Sequence, residues 1–257
     1  MPRITPAAGE QYWPESEGAL GVVGVAPWAT LAFCQVLYRL VRASKDWHYP
    51  RVLLDINTKI PSRGRHLQLG EADPSPAIAE TIAELAAQGA TVAVVPCNTA
   101  HILYERWSRG APIPVLHIIE ETVRLALARG AVHVVPLVSH CLAQSRIYEQ
   151  QAVMRGLRCA TLAAEDQRTI GEIIEVVKNT ASINDSGEHA MRALLERMRA
   201  RGVDTVIAGC TELSGLQPVC DRVGLRLVDS NVALSHAALA RLRLPDTRFP
   251  SFQVPGA

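Results

Sequence analysis

The sequence predicts an α/β fold of two similar lobes, each with a parallel sheet, facing each other across a cleft. Three observations carry that prediction. Apolar runs alternate with helical periods along the whole chain, the pattern that parallel strands joined by helices produce. One helix–Gly–strand–Cys unit occurs twice. The 257 residues, 48% hydrophobic and 20% charged, are enough for one large or two small globular domains.

The elements follow in order. Leu20 to Val25 reads as a buried strand and Ala29 to Ala43 as a helix, with Phe33, Val36, Leu37 and Leu40 on one face. The stretch from Ala19 to Tyr38 carries no charge and has nominal membrane length. Gly21, Gly24 and Pro27 interrupt it, however, and strand, loop and helix explain it better. Arg51 to Ile56 is a second strand. Ser75 is expected to cap a helix with Pro76 at its first position and Ile78, Ile82 and Leu85 as its stripe. Thr91 to Val95 is a strand with Pro96 and Cys97 at its carboxyl end, and a helix from Ile119 to Arg129 leads into the strand Val132 to Val138.

The second half repeats the rhythm. Ile170, Ile173, Ile174 and Val177 share a helical face, with Lys178 expected just after that helix. Met191, Leu194, Leu195 and Met198 share another face. Thr205 to Ala208 is a strand ending at Gly209 and Cys210, Arg226 to Val228 a short strand, and Ala233 to Leu242 a closing helix. The expected division is 18–115 plus 229–243 for the first lobe and 116–228 for the second, with loose ends at 1–17 and 244–257.

The internal repeat is AAQGATVAVVPCNT at 86–99 and RARGVDTVIAGCTE at 199–212. Each has a glycine eight residues before a cysteine, and a threonine within two residues after it. Ligands of open α/β sheets bind at the carboxyl ends of strands, which would put one thiol on each wall of a single cleft.

Composition narrows the function. Lys+Arg 26 against Asp+Glu 25 leaves a net charge of +1, which disfavours a nucleic-acid binder with a broad basic face. Aromatics at 5% disfavour a stacking platform for single strands. The six cysteines form no CxxC pair, so a zinc ribbon and a disulfide framework both fall away. Met1 to Gly18 lacks the apolar core of a signal peptide. A cytoplasmic protein without membrane or nucleic-acid partners is therefore expected. GVVGVA at 21–26 lacks the GxGxxG spacing of a dinucleotide site, and no lysine sits in a Schiff-base context. Neither a cofactor nor a metal is expected.

A free cysteine is most often a small buried hydrophobe, and Cys34, Cys159 and Cys220 are read that way. Cys97 and Cys210 differ, because each ends a strand ahead of hydroxyl or amide residues, where free backbone N–H groups favour thiolate. Four chemistries can use such residues. A redox disulfide lacks its usual spacing. A metal site would have only His101, four residues from Cys97, in support. Nucleophilic catalysis needs a single cysteine. Two-base proton transfer uses both, one thiolate taking a proton from one face of a carbon and the opposite thiol returning one. The duplication favours the last.

PCNTAH at 96–101 and GCTEL at 209–213 resemble the paired cysteine motifs of the aspartate/glutamate racemase superfamily, which needs no pyridoxal phosphate. DINTKIPSR at 55–63, GEADPSP at 70–76 and VDS at 228–230 are similar to its aspartate racemase branch. The resemblance covers about residues 19 to 240. It implies two Rossmann-like lobes related by a pseudo-twofold axis, a homodimer, and racemisation of an acidic amino acid, most readily aspartate, as the small-molecule substrate. Cys97 and Cys210 match the catalytic thiols. Asn98, Thr99 and Thr211 match the residues that hold the α-amino and α-carboxylate groups, and Ser139 keeps a hydroxyl in the matching loop of the second lobe. Asn57 matches the asparagine ahead of IPxR. Arg63 and Lys178 match the pair that grips the distal carboxylate, a bidentate guanidinium and a point charge. Two loops depart from the pattern: VGVAPWAT at 23–30 replaces glycines with Val23 and Ala26 and adds Trp28, and VSHCL at 138–142 has Leu142 for a threonine. Both loops are expected to line the site, so Val23, Ala26 and Leu142 should reshape it. His101 and Glu212, inside the motifs, are read as supporting or proton-relay groups. A related cysteine-dependent isomerase or decarboxylase, and a catalytically silent ligand-binding relative, are the alternatives.

Overall fold

The computed structural model describes residues 18–242 except 42, 44 and 181, so the loose ends expected at 1–17 and 244–257 lie outside the described residues. Its elements run in chain order. The first part holds β1 (Leu20–Gly24), α1 (Pro27–Leu40), β2 (Val52–Ile56), α2 (Arg63–Leu69), α3 (Ser75–Ala87), β3 (Val92–Val94) and α4 (Tyr104–Ser108). Then come α5 (Ile118–Ala128), β4 (His133–Leu137), α6 (His140–Ser145), α7 (Ile147–Met154), β5 (Arg158–Cys159), α8 (Ala164–Thr180) and α9 (Asp185–Ala200). β6 (Thr205–Ala208), α10 (Gln217–Val223), β7 (Arg226–Asp229) and α11 (Ser230–Arg241) complete the order.

The strands form two parallel sheets, ordered β2-β1-β3 and β5-β4-β6-β7. Leu20 pairs with both Val52 and Val92, and Thr205 with both Val134 and Arg226. β1, β3 and β6 are buried at every position, as near-continuous apolar runs covered on both faces must be. One apolar core joins the two sheets: Leu20 and Val94 pack with Phe33 of α1, Ile119 and Val123 of α5, Val134 and Ile207, and Leu234 of α11. Two outer cores cover the opposite faces, one around Ile78, Ile82 and Trp107 and one around Ile170, Leu194 and Val206. Gly89 (φ +101°) and Gly202 (φ +79°) turn the chain from α3 into β3 and from α9 into β6, a left-handed conformation that glycine adopts without a Cβ penalty.

Several expectations are corrected. Ser75 does not cap α3. Pro74 holds the cap position, Ser75 is the first helical residue, and its N–H donates to Asp73 Oδ1 at 2.8 Å, so the nearby carboxylate takes the capping role. α1 begins two residues early because Pro27, with its fixed φ, sits at the first helical position, and it ends at Leu40, where Val41 turns extended. Lys178 lies inside the last turn of α8 rather than after it. The short helices α2, α4, α6, α7 and α10 depart from the expected elements, since none is long enough to show a repeating stripe. Local punctuation marks two of them: Ser62 accepts a bond from Arg65 N–H at the start of α2, and Gly70 and Gly224 end α2 and α10 in left-handed conformation.

Candidate active site

Cys97 and Cys210 stand in equivalent places. Each is the last extended residue after a strand, with φ −151° and ψ 105° at Cys97 and φ −136° and ψ 133° at Cys210, and each opens a 3₁₀ turn, Asn98–Leu103 and Thr211–Leu213. The turns close alike: Ala100 N–H donates to Cys97 O at 3.2 Å and Leu213 N–H to Cys210 O at 2.9 Å. Both cysteines line one cleft of about 500 Å³ at the carboxyl ends of the strands.

The first wall is built on the turn after β3. Asn98 is buried; its Nδ2 donates to Ser230 Oγ at 3.0 Å, and Tyr148 donates its hydroxyl to Asn98 Oδ1 at 2.7 Å. These bonds tie the turn to α11 and α7. Burial pushes the Tyr148 phenol above its ordinary range, so it serves as a donor. Thr99 and Ser139 face each other with hydroxyl oxygens 3.0 Å apart, joining the strand ends of the two sheets across the cleft floor. Behind Cys97, His101 Nδ1 lies 2.9 Å from Cys97 O and Nε2 lies 3.4 Å from Leu116 O. Burial, helped by His117, lowers the His101 pKa to about 3. The ring is therefore neutral, and the shorter contact puts its hydrogen on Nδ1, where it holds the Cys97 carbonyl. Trp107 packs edge-on against this ring at 5.1 Å.

The second wall is the turn after β6. Cys210 donates its thiol hydrogen to Glu212 Oε2 at 2.9 Å, and the Thr211 hydroxyl donates to the same oxygen at 3.1 Å. Burial pushes the Cys210 thiol well above the usual range, the Glu212 carboxylate adds to it, and Cys97 contributes last; the Glu212 main-chain N–H works the other way. α8 closes this side with Gly171, Ile174, Glu175 and Lys178, one face at helical spacing.

Arg63 and Lys178 both line the cleft. Arg63, at the first position of α2, donates from its two terminal nitrogens to Pro61 O and Val25 O, each at 3.1 Å, while its buried Nε has no partner. Lys178 Nζ is paired with Glu175 Oε1 at 2.6 Å. Burial works to lower the Lys178 pKa, but the Glu175 bond, with Glu212 and Cys210 behind it, holds it above its ordinary value.

Of the residues expected at the site, Cys97, Asn98, Thr99, Cys210, Thr211, Ser139, Arg63 and Lys178 line this cleft together. Asn57 does not. Its amide donates to Thr81 Oγ1 at 3.1 Å and accepts from Lys59 N–H, so it braces the loop after β2 against α3. Val23 and Leu142 are corrected as well: Val23 is fully buried within β1, and Leu142 faces a neighbouring cavity behind α6. Of the three substituted loop positions only Ala26 lines the cleft. Trp28 is 63% exposed and lines an adjoining groove. Of the remaining four cysteines, Cys141 also lines the cleft, its thiol raised by burial. The other three read as structural: burial raises the thiol of half-buried Cys34, takes Cys159 to about 11 and Cys220 to about 12.

The sequence reading missed Glu175, Tyr148 and Ser230. Glu175 could have been found from the face Gly171, Ile174, Glu175, Lys178. Tyr148 and Ser230 could not, because only folding brings α7 and α11 to Asn98. Among the described residues no group of three or more His, Cys, Asp or Glu gathers to hold a metal, and no helix is long and apolar enough to cross a membrane.

Duplicated strand-end thiols lining one cleft, in a frame of two parallel sheets, define the class: an α/β protein with a symmetric cysteine pair. The chain belongs to the Asp/Glu/Hydantoin racemase family, which it matches over residues 21–238. It is similar to the broad specificity amino-acid racemase RacX of Bacillus subtilis, with 26% identity over 81% of this chain and 87% of that protein. It is also similar to the glutamate racemase of Desulforudis audaxviator, with 30% identity over 67% of this chain and 63% of that one. The fold is shared with the Picrophilus torridus aspartate racemase at TM-score 0.77 and 23% identity, covering 88% of this chain and 94% of the other.

Proposed function

We propose that this chain is a cofactor-independent racemase of an acidic amino acid, aspartate first, working as a homodimer by proton transfer between two cysteines. The observation that carries the reading is the equivalent placement of Cys97 and Cys210 at strand ends that line one cleft. One thiolate removes the Cα proton and becomes a thiol; the opposite thiol gives its proton to the other face of the carbanion and becomes the thiolate. No atom is gained or lost and the centre inverts. A positioned base and acid supply about 10²–10⁴-fold each. Fixed donors must hold the charge that develops on the α-carboxylate. Among the cleft residues the Thr99–Ser139 hydroxyl pair keeps one hydrogen free for that role, while the Thr211 hydroxyl donates to Glu212. Arg63 and Lys178 favour a side chain ending in a carboxylate.

A second reading, a wider substrate range, draws support from one observation. Glu175 pairs with Lys178, and the terminal nitrogens of Arg63 are engaged by carbonyls, so much of the positive charge is already answered.

Incubation in deuterated water with both enantiomers of aspartate, glutamate, asparagine and alanine, followed by chiral separation and mass spectrometry, tests the proposal. Inversion with deuterium at Cα, fastest for aspartate, is expected. Carbon dioxide release would mark a decarboxylase, and no change in any substrate would overturn racemisation. The same panel on Arg63→Leu should show kcat/KM for aspartate falling by roughly 30- to 150-fold, the loss of one charge-assisted contact. Equal turnover of alanine and aspartate by the native chain would overturn the acidic preference alone.

A further inference from the structure

We propose that Glu212 is a positioning residue that keeps Cys210 as the thiol of the resting pair, so that Cys97 is the cysteine that begins the cycle as base. The inference rests on the racemase reading above. Its geometry is the S–H···O bond of 2.9 Å from Cys210 to Glu212 Oε2, an oxygen that also accepts from Thr211 at 3.1 Å. Nothing equivalent follows Cys97, where the residue two positions on is Thr99 and its hydroxyl is turned to Ser139. The backbone repeat is symmetric, yet the charge beside the two sulfurs is not.

The surroundings of Cys210 leave Glu212 as the nearest charge. The turn after β3 brings Cys97, and α7 brings the hydroxyl of Tyr148, which senses the Cys210 charge. α8 brings Lys178, whose ammonium is bonded to Glu175 and feels the charges of Glu212 and Cys210 from farther off, so the carboxylate in direct contact with the sulfur is the closer influence. α1 contributes only uncharged side chains to the groove beside Glu212, among them Trp28, Leu31 and Gln35. A thiolate at Cys210 would sit against a carboxylate in a buried setting, which both desolvation and like charge oppose. A thiol there satisfies the carboxylate instead.

The consequence is a built-in reset. After one turnover Cys97 holds the proton taken from Cα and Cys210 is left as a thiolate beside Glu212. Proton uptake from water restores the S–H···O bond at Cys210, Cys97 gives a proton back to water, and the pair returns to its starting form with protons balanced. The two enantiomers then differ in kcat and KM separately, while kcat/KM stays equal, as an equilibrium constant of one requires.

The test reads Cys210 directly. Absorbance at 240 nm reports thiolate, and the difference between titrations of Cys97→Ala and the Cys97→Ala/Cys210→Ala double variant isolates Cys210. With Glu212 in place the midpoint should lie above the ordinary thiol range. Adding Glu212→Gln should lower it by about one pH unit or more, the effect of removing an adjacent charge, and Glu212→Asp, which keeps the charge, should restore most of the shift. A fall of less than about half a unit with Gln overturns the proposal. If the Gln variant does not fold by circular dichroism, Glu212→Ala, which leaves room rather than a new amide, is read by the same criterion. In the otherwise native chain, the alkaline limb of kcat/KM against pH should move down with Glu212→Gln. That limb reports the free enzyme's acid. If no amino acid is racemised, the racemase reading fails while the thiolate titration still decides the role of Glu212.

Discussion

The turn after β3 and the turn after β6 share a backbone and differ in what supports it. Both cysteines are extended, both open a 3₁₀ turn, and both carbonyls accept a turn N–H. Behind Cys97 stands a neutral buried imidazole in an aromatic cluster, with His101 4.9 Å from His117 and Tyr104 4.5 Å from His117 between ring centres. Beside Cys210 stands a carboxylate in contact with the sulfur itself. The first turn is braced from behind through its main chain, and the second is tuned at its reactive atom. Two copies of one unit thus supply the same geometry, while the side chains that follow each cysteine divide the chemical roles.

The largest expected effect comes from removing either half of the pair. Cys97→Ala and Cys210→Ala should each lower racemisation by about 10³-fold or more, in line with loss of a positioned acid or base, with thermal midpoints close to the native one. A single variant retaining a substantial part of the native rate in chiral chromatography would break the two-base assignment.

Next is a pH effect that belongs to the first turn. His101 is held at about 3 in the folded chain against an ordinary 6.5, so the unfolded chain binds the proton first as pH falls. Stability is therefore complete above pH 6.5 and is lost as pH drops toward 3, at about 1.4 kcal/mol per unit for one proton. Between pH 6.5 and 5, before most carboxylates titrate, the loss should be about 2 kcal/mol. His117, also lowered by burial, adds to it. Urea melts at the two pH values should show a smaller difference for His101→Gln than for the native chain, whatever the variant's absolute stability. An unchanged difference would show that acid sensitivity does not reside at this turn.

The smallest effect contrasts the residues that precede the two cysteines. A Cβ on Gly209 would lie 2.6 Å from Val138 Cγ1 and 2.8 Å from the Tyr148 ring. Gly209→Ala should cost roughly 1–3 kcal/mol by overpacking and disturb Asn98 through Tyr148. Pro96→Ala should cost about 0.4–1 kcal/mol, chiefly through the freedom it restores to the unfolded chain. Denaturant midpoints of the two variants decide; equal costs would mean that the second turn is not the tighter one.

The sequence by itself determined six of the seven strands, the long helices and the duplicated cysteine turns; the two-residue β5 is too short to show a pattern. These features repeat at short range, as apolar period, glycine position or motif spacing, so a local reading reaches them. It also placed Arg63, Lys178, Ser139 and the threonines among the cleft residues. Only the tertiary structure decided which polar groups meet. Asn57 turned out to spend its amide on Thr81, Val23 and Leu142 to face away from the cleft, and Tyr148 and Ser230 to hold Asn98. The hydrogen bonds among these outcomes join groups between 24 and 132 residues apart, in separate parts of the fold. The physical reason is that a hydrogen bond or ion pair depends on atoms within about 3 Å, while the sequence pattern fixes only which face of an element is apolar. Where two such faces come together follows from how the elements pack, whereas the carboxylate beside Cys210 and the histidine behind Cys97 come from residues two and four positions further along the same turns.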